Sequence, residues 1–427
     1  MSTYDRAFKE SLRAVVQDLG TPCYVYFMDH VRDRVARVQA AFGNRFRISY
    51  AMKCNPNGGL LCRLRSVVDM LDVSSAGEAR RAVLAGWDPV NISFTGPAKT
   101  AAELQTSVDM GIGEIILESI DEAALLNRLA EQSGKRQRVL VRIGPQRVPR
   151  GFGLNMSGKP SQFGIDEEDV DQAVQAIASL AHLDLFGFHI YSGTQCLNAE
   201  AIAENFGIFI DVFKRVCRAR NVSPHRLIFG SGIGIPYFDT DTPVDLTVIA
   251  ERTNPVVDAF KQDPLFSSAE LVLEMGRYLV GEAGVYLTRV VRMKRSRGVI
   301  IGICDGGMNH HLAAAGHLGT LIQRNYRMLK ITEDDHATSE DAYTLVGPLC
   351  TTIDTLGRQV KFNGLDAGDV IGILSSGAYG VSASPIHFIS HPPPKEIILE
   401  TDCGNLLMED CSELTAWSCP GGKEAEQ

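Results

Sequence analysis

Short apolar runs rich in β-branched residues recur along the first two thirds of the chain, and a segment with helical periodicity follows each of them. The runs predict eight strands, at residues 47–53, 68–74, 91–96, 114–119, 138–143, 185–191, 226–231 and 270–276. Three of the helices begin with a capping box, formed by Ser75 with Glu78, Thr100 with Glu103, and Ser119 with Glu122. Strands and helices that alternate over about 250 residues predict a (β/α)8 barrel, with a doubly wound open sheet as the alternative.

The pattern changes after residue 284. Strand-like runs then follow one another without helices between them, at residues 285–293, 298–304, 342–346, 370–375 and 396–399. Such a run predicts a separate antiparallel β domain. We therefore expect an N-terminal strand segment that joins the β domain (1–27), a barrel (28–279), the C-terminal β domain (280–400) and a weakly ordered tail (401–427).

Composition excludes several classes of function. The chain has 42 Lys and Arg against 51 Asp and Glu, a net charge of −9, so binding to nucleic acid phosphates is not expected. No apolar run approaches the roughly 20 residues of a membrane span. The polar first residues do not resemble a signal peptide, and we expect a cytoplasmic protein. None of the ten cysteines forms a C-x-x-C pair, so no metal site is predicted.

Residues able to do chemistry stand at the ends of the predicted barrel strands. Catalytic groups of such barrels lie at the carboxyl ends of the strands. These ends carry Lys53, Asp72, Ser74, Gly96, Glu118, Arg142, His189, Ser192, the glycine-rich stretch 230–234, and Glu274 with Arg277. An amine, a histidine, a glycine loop and a carboxylate followed by a guanidinium suit an anionic aromatic cofactor that is held covalently.

Five segments resemble the motifs of a known family. Residues 50–55, 189–193, 274–277, 305–308 and 347–350 are similar, in order, to those of the pyridoxal-phosphate-dependent decarboxylases of alanine racemase fold. That family includes the diaminopimelate, ornithine and arginine decarboxylases. The segments 193–195 and 277–279 most resemble its branch that decarboxylates glutamate attached to an acyl carrier protein in butirosin biosynthesis. The resemblance implies an amino acid decarboxylase that binds pyridoxal 5′-phosphate.

The resemblance also implies roles for the cofactor-binding residues. Lys53 would form the Schiff base, His189 would stack on the cofactor ring, and Glu274 would keep the pyridine nitrogen protonated, so that the ring draws electrons. Racemases of this fold have an arginine near that nitrogen, and the glutamate therefore favours decarboxylation. The cofactor phosphate would be bound by Ser192, Gly230, Ser231, Gly232, Gly276, Arg277 and Tyr379. Ser231 departs from the three consecutive glycines usual in the family.

The substrate side contains the most informative departure. Cys350 would be the acid that protonates the carbanion, and in the family it comes from the other subunit of a homodimer, so that active sites span the interface. Diaminopimelate and ornithine decarboxylases have an acidic residue next, which pairs with the distal substrate amine, whereas this chain has Thr351. A free diamino acid is therefore a poor fit, although Asp354 is an alternative partner. The remaining candidate substrate contacts are Asp305, Arg142, Arg324 and Tyr326, and Arg142 is alternatively a structural ion-pair member.

These observations favour glutamate or a related amino acid, tethered to a carrier protein, over a small free substrate. A basic stretch at 292–297 is a candidate docking surface for an acidic carrier, or a solvated hairpin tip. Three alternatives stay open at this point. They are a diaminopimelate decarboxylase, a racemase, and a cofactor-free regulatory binding protein with the same fold.

Overall fold

The computed structural model describes residues 6–152, 154–318, 324–332 and 340–412. The chain divides into two compact units. The barrel unit contains Asp33–Ile235 and Pro243–Tyr278. The sheet unit contains the described residues before Asp33, Pro236–Thr242, and those from Leu279 onward. No helix of the described residues is long and apolar enough to cross a membrane.

The helices are mostly short and separated by strands. In the described residues the α-helices are α1 (Arg6–Leu19), α2 (Met28–Phe42), α3 (Gly58–Leu64), α4 (Ala76–Leu84), α5 (Ala101–Met110), α6 (Ile120–Gln132), α7 (Val170–Ala178), α8 (Ala199–Arg220), α9 (Leu246–Lys261) and α10 (Arg277–Val280).

The strands fall into a long first series and a second series after residue 283. They are β1 (Cys23–Phe27), β2 (Arg47–Ala51), β3 (Met70–Val73), β4 (Ile92–Phe94), β5 (Glu114–Leu117), β6 (Gln137–Gly144), β7 (Leu154–Asn155), β8 (Ile165–Asp166), β9 (Leu183–Ile190), β10 (Gly193–Thr194), β11 (Arg226–Gly230), β12 (Glu270–Met275), β13 (Gly284–Ser296), β14 (Val299–Cys304), β15 (Met328–Lys330), β16 (Glu340–Val346), β17 (Thr355–Asn363), β18 (Val370–Ile373), β19 (Lys395–Asp402) and β20 (Asn405–Asp410).

Eight parallel strands close into a barrel. Their order is β5-β4-β3-β2-β12-β11-β9-β6, and β5 also pairs with β6. This closure confirms the predicted barrel and excludes the open sheet. Ser75, Thr100 and Ser119 each cap a helix that follows a strand. The complete capping box is present at Thr100 with Glu103, whereas Glu78 and Glu122 accept from the backbone N–H one residue before the cap, at Ser74 and Glu118. Each hydroxyl accepts a hydrogen bond from the backbone N–H three residues later, which satisfies one free donor of the first turn.

Aromatic side chains fill the space between the barrel and helix α8. The fully buried ring of Phe229, on β11, lies 5.2–6.0 Å from the rings of Phe46, Phe206, Phe209 and Phe213. Three of these partners are on one stripe of α8, so the amphipathic pattern of this helix buries one face against the strands. The packing holds β11 and the glycine-rich loop after it in place.

The sheet unit is built on one nine-stranded sheet. Its strands run in the order β17-β16-β14-β13-β1-β19-β20, and β18 pairs with both β13 and β15. The N-terminal strand β1 thus lies inside this sheet, between β13 and β19. Most neighbours are antiparallel, as predicted, but β1–β19 and β14–β16 are parallel.

The end of the described chain is more regular than expected. Residues 395–410 form an antiparallel hairpin, although a weakly ordered segment is predicted from residue 401. Its two-residue turn is Cys403-Gly404, and both residues have positive φ, as a type I′ turn requires. Cys-Gly is not among the residue pairs common in two-residue hairpin turns, so the sequence does not indicate a hairpin here. The tail from residue 413 lies outside the described residues.

Candidate active site

The barrel unit brings an amine and two carboxylates together at the ends of adjacent strands. Lys53 lies in a single helical turn directly after β2, Asp72 is on β3, and Glu274 is on β12. The Lys53 Nζ atom lies 3.6 Å from Asp72 Oδ2 and 3.9 Å from Glu274 Oε1. Both carboxylates are buried, whereas the Lys53 side chain is 39% exposed. An amine that is anchored by two acids and is open on one side can react with a bound carbonyl compound.

His189 completes the charge arrangement around Glu274. The His189 Nε2 atom donates a hydrogen bond of 2.9 Å to Glu274 Oε2, and both side chains are buried. Burial alone would raise the pKa of Glu274, but the bond from His189 and the charge of Lys53 lower it well below its usual range. Burial lowers the pKa of His189 despite this carboxylate. Glu274 is therefore a permanent anion in the site.

Asp72, on β3, belongs to this cluster, although its position at a strand end does not by itself indicate a role. Its Oδ1 atom accepts a hydrogen bond of 2.5 Å from Thr95. Burial, followed by the negative charge of Glu274, raises the pKa of Asp72 to about 7. Two buried carboxylates beside one amine thus differ in their affinity for a proton. The signal that identifies Asp72 is its position at a strand end beside Lys53.

The glycine-rich loop after β11 is shaped by close contacts. A Cβ atom on Gly230 would overlap the ring of Tyr191, and one on Gly232, whose φ is +62°, would lie 2.5 Å from Phe152. Between them the Ser231 backbone N–H donates to the carbonyl oxygen of Glu274. Glycine is thus required at both positions, and Ser231 is accommodated at the middle one.

Ser192 and Arg277 supply further polar groups in this unit. Ser192 is fully buried, and its Oγ atom has no hydrogen-bond partner in the part of the chain that the structure describes. Gly276, next to Arg277, packs against Cys54, the neighbour of Lys53. Burial raises the pKa of the Cys54 thiol to about 11, and the hydrogen bond with Tyr50 and the charges of Arg277 and Lys53 oppose that shift.

Arg142, on β6, is bound to a buried acid directly after the neighbouring strand β5. Its Nη1 atom donates to Glu118 Oε1 at 2.8 Å, and the backbone N–H of Gly164 donates to the other oxygen at 2.5 Å. The guanidinium also lies 4.7 Å from the ring centroid of Phe163. Arg142 thus forms a structural ion pair with Glu118. The positive charge of Arg142 also contributes to the lowered pKa of both Glu274 and His189.

In the sheet unit the loop between β16 and β17 carries Cys350 and Thr351. Cys350 is exposed and Thr351 is half-buried. Asp354, in contrast, is only 2% exposed. Its Oδ1 accepts from the backbone N–H of Met308 at 2.6 Å, and its Oδ2 accepts from that of Leu349 at 2.8 Å. Both carboxylate oxygens therefore have backbone partners.

The Asp305 carboxylate also has partners within the sheet unit. One oxygen accepts from the Thr288 hydroxyl at 2.8 Å and from the Arg289 backbone N–H at 2.9 Å. The other accepts from the Thr21 hydroxyl at 2.6 Å. The carboxylate therefore links β13 to the start of β1.

Arg324 and Tyr326 have different surroundings. The Arg324 guanidinium bonds to Thr240 and Asp241 and lies 3.8 Å from the ring centroid of Phe238. Tyr326 is buried against the rings of Tyr237 and His311, at 4.8 and 5.5 Å. Tyr379 has a positive φ of 55°, a backbone conformation that costs free energy for a non-glycine residue.

The barrel residues fit a phosphorylated aromatic aldehyde. The Lys53 amine suits an aldehyde, the Glu274 anion suits a protonated ring nitrogen, and the unpartnered Ser192 hydroxyl suits a phosphate oxygen. No group of His, Cys, Asp and Glu side chains among the described residues has the arrangement of a metal site.

Comparisons with known proteins agree with this chemistry. Residues 28–281 match the pyridoxal binding domain of the pyridoxal-dependent decarboxylases. The chain is 35% identical over 389 residues to the L-glutamyl-[BtrI acyl-carrier protein] decarboxylase of Niallia circulans, covering 91% of this chain and 90% of that one. It is 30% identical over 405 residues to diaminopimelate decarboxylase of Zymomonas mobilis, covering 93% and 91%.

A solved structure extends the likeness to the whole fold. Diaminopimelate decarboxylase of Helicobacter pylori, complexed with L-lysine, superposes with a TM-score of 0.81 at 25% identity and covers 94% of this chain and 95% of that one. Together these matches confirm that the chain is an enzyme rather than a cofactor-free binding protein with the same fold. The chain belongs to the pyridoxal-dependent decarboxylases and is a pyridoxal 5′-phosphate-dependent amino acid decarboxylase.

Proposed function

We propose that this enzyme decarboxylates glutamate, or a related amino acid, while the amino acid is attached to a carrier protein. The observation that carries the proposal is the state of the acids near Cys350. Thr351 follows the cysteine, and the carboxylates of Asp354 and Asp305 already accept hydrogen bonds from other groups. A distal substrate ammonium would have to displace these bonds to find an anion, at a cost of several kcal/mol. The similarity to a glutamyl-carrier decarboxylase supports the same conclusion.

The barrel residues hold and tune the cofactor in this proposal. When bound, pyridoxal phosphate supplies an electron sink for the pair that is left when carbon dioxide departs. Lys53 would hold the cofactor covalently through Nζ, and His189 would pack on its ring. Glu274, whose lowered pKa keeps it an anion at working pH, would keep a proton on the pyridine nitrogen. These assignments explain why two buried acids surround one amine.

Polar groups of the barrel unit would bind the phosphate. They are Ser192, Arg277, and the backbone of the Gly230–Gly232 loop with Gly276. The buried Ser192 hydroxyl, which has no partner among the described residues, can donate to a phosphate oxygen without breaking another bond. Asp72 holds Lys53 in position, and Arg142 adds positive charge near Glu274.

Cys350 is the acid that delivers a proton to the substrate carbon. A thiol has an ordinary pKa of about 8.5, close enough to neutral pH for proton transfer in both directions. In a homodimer with shared sites, each Cys350 serves the barrel of the other subunit. The exposure of Cys350 in a single chain supports this arrangement. Thr351 beside it carries no charge to pair with a distal substrate amine.

The decarboxylation assay separates the candidate substrates. Purified enzyme would be given free glutamate, glutamate loaded on a carrier protein, and meso-diaminopimelate, and released carbon dioxide would be measured. We expect rapid release from the carrier-linked substrate alone, loss of release in Lys53→Ala, and a decrease of about 10²-fold in Cys350→Ala. Cys403→Ser is the matched control, because Cys403 is the other exposed free cysteine of the described residues. Rapid turnover of meso-diaminopimelate would refute the proposal.

The β13–β14 hairpin is the proposed docking surface for the carrier. Arg292, Lys294, Arg295 and Arg297 are exposed, and none has an ion-pair partner among the described residues. Such a cluster on a protein of net charge −9 attracts an acidic partner and is screened by salt. Charge reversal at two of these positions should raise KM for the carrier-linked substrate. If turnover is unchanged, the hairpin is only a solvated tip.

A further inference from the structure

The loop that carries Cys350 is closed by a buried carboxylate. Asp354 ends the loop, and its two oxygens accept from two separate segments, Met308 N–H at 2.6 Å and Leu349 N–H at 2.8 Å. The backbone N–H of Gly347 also donates to the Asp354 carbonyl oxygen at 3.1 Å. Leu349 directly precedes Cys350, so one of these bonds fixes the residue next to the thiol.

Two glycines make room for this carboxylate. A Cβ atom on Gly307 would overlap Asp354 Oδ1, and one on Gly347 would overlap Asp354 Oδ2. The carboxylate therefore lies between the 305–308 segment and the start of its own loop, with no space for a longer side chain. Met308 and Leu349 also pack against each other in a small apolar cluster, which shields the bonds from water.

We infer that Asp354 is a positioning residue that holds the Cys350 loop against the 305–308 segment. The inference rests on the proposed role of Cys350 as the proton donor. A carboxylate is required because both of its oxygens must accept. An asparagine of the same size would direct its NH2 group at one of the two backbone N–H groups, and one bond would be lost. A misplacement of about 1 Å at a reacting group costs about 10²-fold in rate.

The first test reads the loop directly. Hydrogen–deuterium exchange would be measured on the holoenzyme for peptides that contain Leu349 and Met308. In Asp354→Asn we expect exchange to rise about tenfold or more at whichever of these two amides faces the NH2 group, because an amide that has lost its acceptor needs only a small local opening to exchange. Asp369→Asn is the matched control, since Asp369 is a partly buried acceptor in the same unit that bonds to Thr332 and Asp366. Unchanged exchange at both Leu349 and Met308 in Asp354→Asn would overturn the inference.

The second test asks whether Asp354 acts through Cys350. Asp354→Asn should lower kcat for the carrier-linked substrate by about 10²-fold and leave KM within about twofold. In a Cys350→Ala background the same substitution should have no further effect, because a positioning residue matters only while the positioned group is present. An equal loss in both backgrounds would assign Asp354 a general structural role and refute the inference.

The two proposals fail in different ways. If Cys350→Ala leaves turnover unchanged, the proposed proton donor is wrong, and the functional part of this inference falls with it. If Cys350→Ala is slow but Asp354→Asn is as fast as the wild type, only the inference is wrong. Gly347→Ala provides a second variant, because its Cβ displaces the carboxylate but keeps the charge. It should reproduce the exchange and rate changes of Asp354→Asn, and wild-type behaviour would contradict the inference even where Asp354→Asn does not fold.

Discussion

Replacing Glu118 by glutamine tests whether the buried ion pair organises the barrel site. Glu118 and Arg142 have side chains that are 4% and 7% exposed, with a nitrogen–oxygen distance of 2.8 Å. At this distance and an effective dielectric constant of about 20, the two charges attract by about 6 kcal/mol. Glutamine keeps the size but removes the charge, and it leaves the buried guanidinium uncompensated. We therefore expect the free energy of unfolding of the barrel unit to fall by about 3–5 kcal/mol.

The measurement is urea unfolding followed by Trp87 fluorescence. Trp87 is buried in the barrel unit, and Trp417→Phe leaves it as the only one of the two tryptophans. Glu118→Leu combined with Arg142→Leu is the control, since removal of both charges avoids an unpaired ion and should cost much less than the sum of the single changes. A loss below about 1 kcal/mol in Glu118→Gln, or full additivity in the cycle, would refute the reasoning.

Three further outcomes follow from buried groups. The pKa of Asp72 is raised to about 7 in the folded protein, above the unfolded value near 4, so the free energy of unfolding falls as pH rises between these two values. Asp72→Asn should flatten this dependence, which urea unfolding at several pH values would measure. Burial lowers the pKa of His311 to about 3, below the unfolded value near 6.5, so stability is lost as pH falls between them. His311→Gln should make the sheet unit less acid-sensitive by near-UV circular dichroism. Phe229→Ala should cost about 3–5 kcal/mol in thermal or urea unfolding, and a loss under about 1 kcal/mol would contradict the packing described.

The barrel was predictable because its strands are buried on both faces. A parallel strand covered by helices is a short continuous apolar run, and the sequence contains eight of them with capped helices between. Local patterns therefore agree with the closed sheet at every step. The grouping of Lys53, His189 and Glu274 was predictable for the same reason, because the barrel brings the carboxyl ends of its strands to one face.

The sheet unit was harder to predict because the strands that the sequence pattern does not indicate, β15, β17 and β20, are partly exposed. β17 contains Gly357 and alternates polar with apolar residues, and β15 has only three residues. Neither produces an apolar run. β20 carries exposed leucines at 406 and 407, and depends on a Cys-Gly turn. Exposed strands of this kind are defined by their partners in the sheet rather than by their own composition.

The roles of the loop acids show a different limit. In sequence, Asp354 follows Cys350 by four residues, and Asp305 begins the 305–308 segment. From position alone, each acid is a candidate substrate ligand. Their function depends on whether backbone N–H groups point at them, which is set by loop geometry and not by residue type. In the structure both are hydrogen-bonded to neighbouring segments. Under the proposed function, the same bonds that make these acids poor partners for a distal amine make them good anchors, so these two carboxylates do not replace the acid that position 351 lacks. Substrate choice and the placement of Cys350 would then be linked through one short loop.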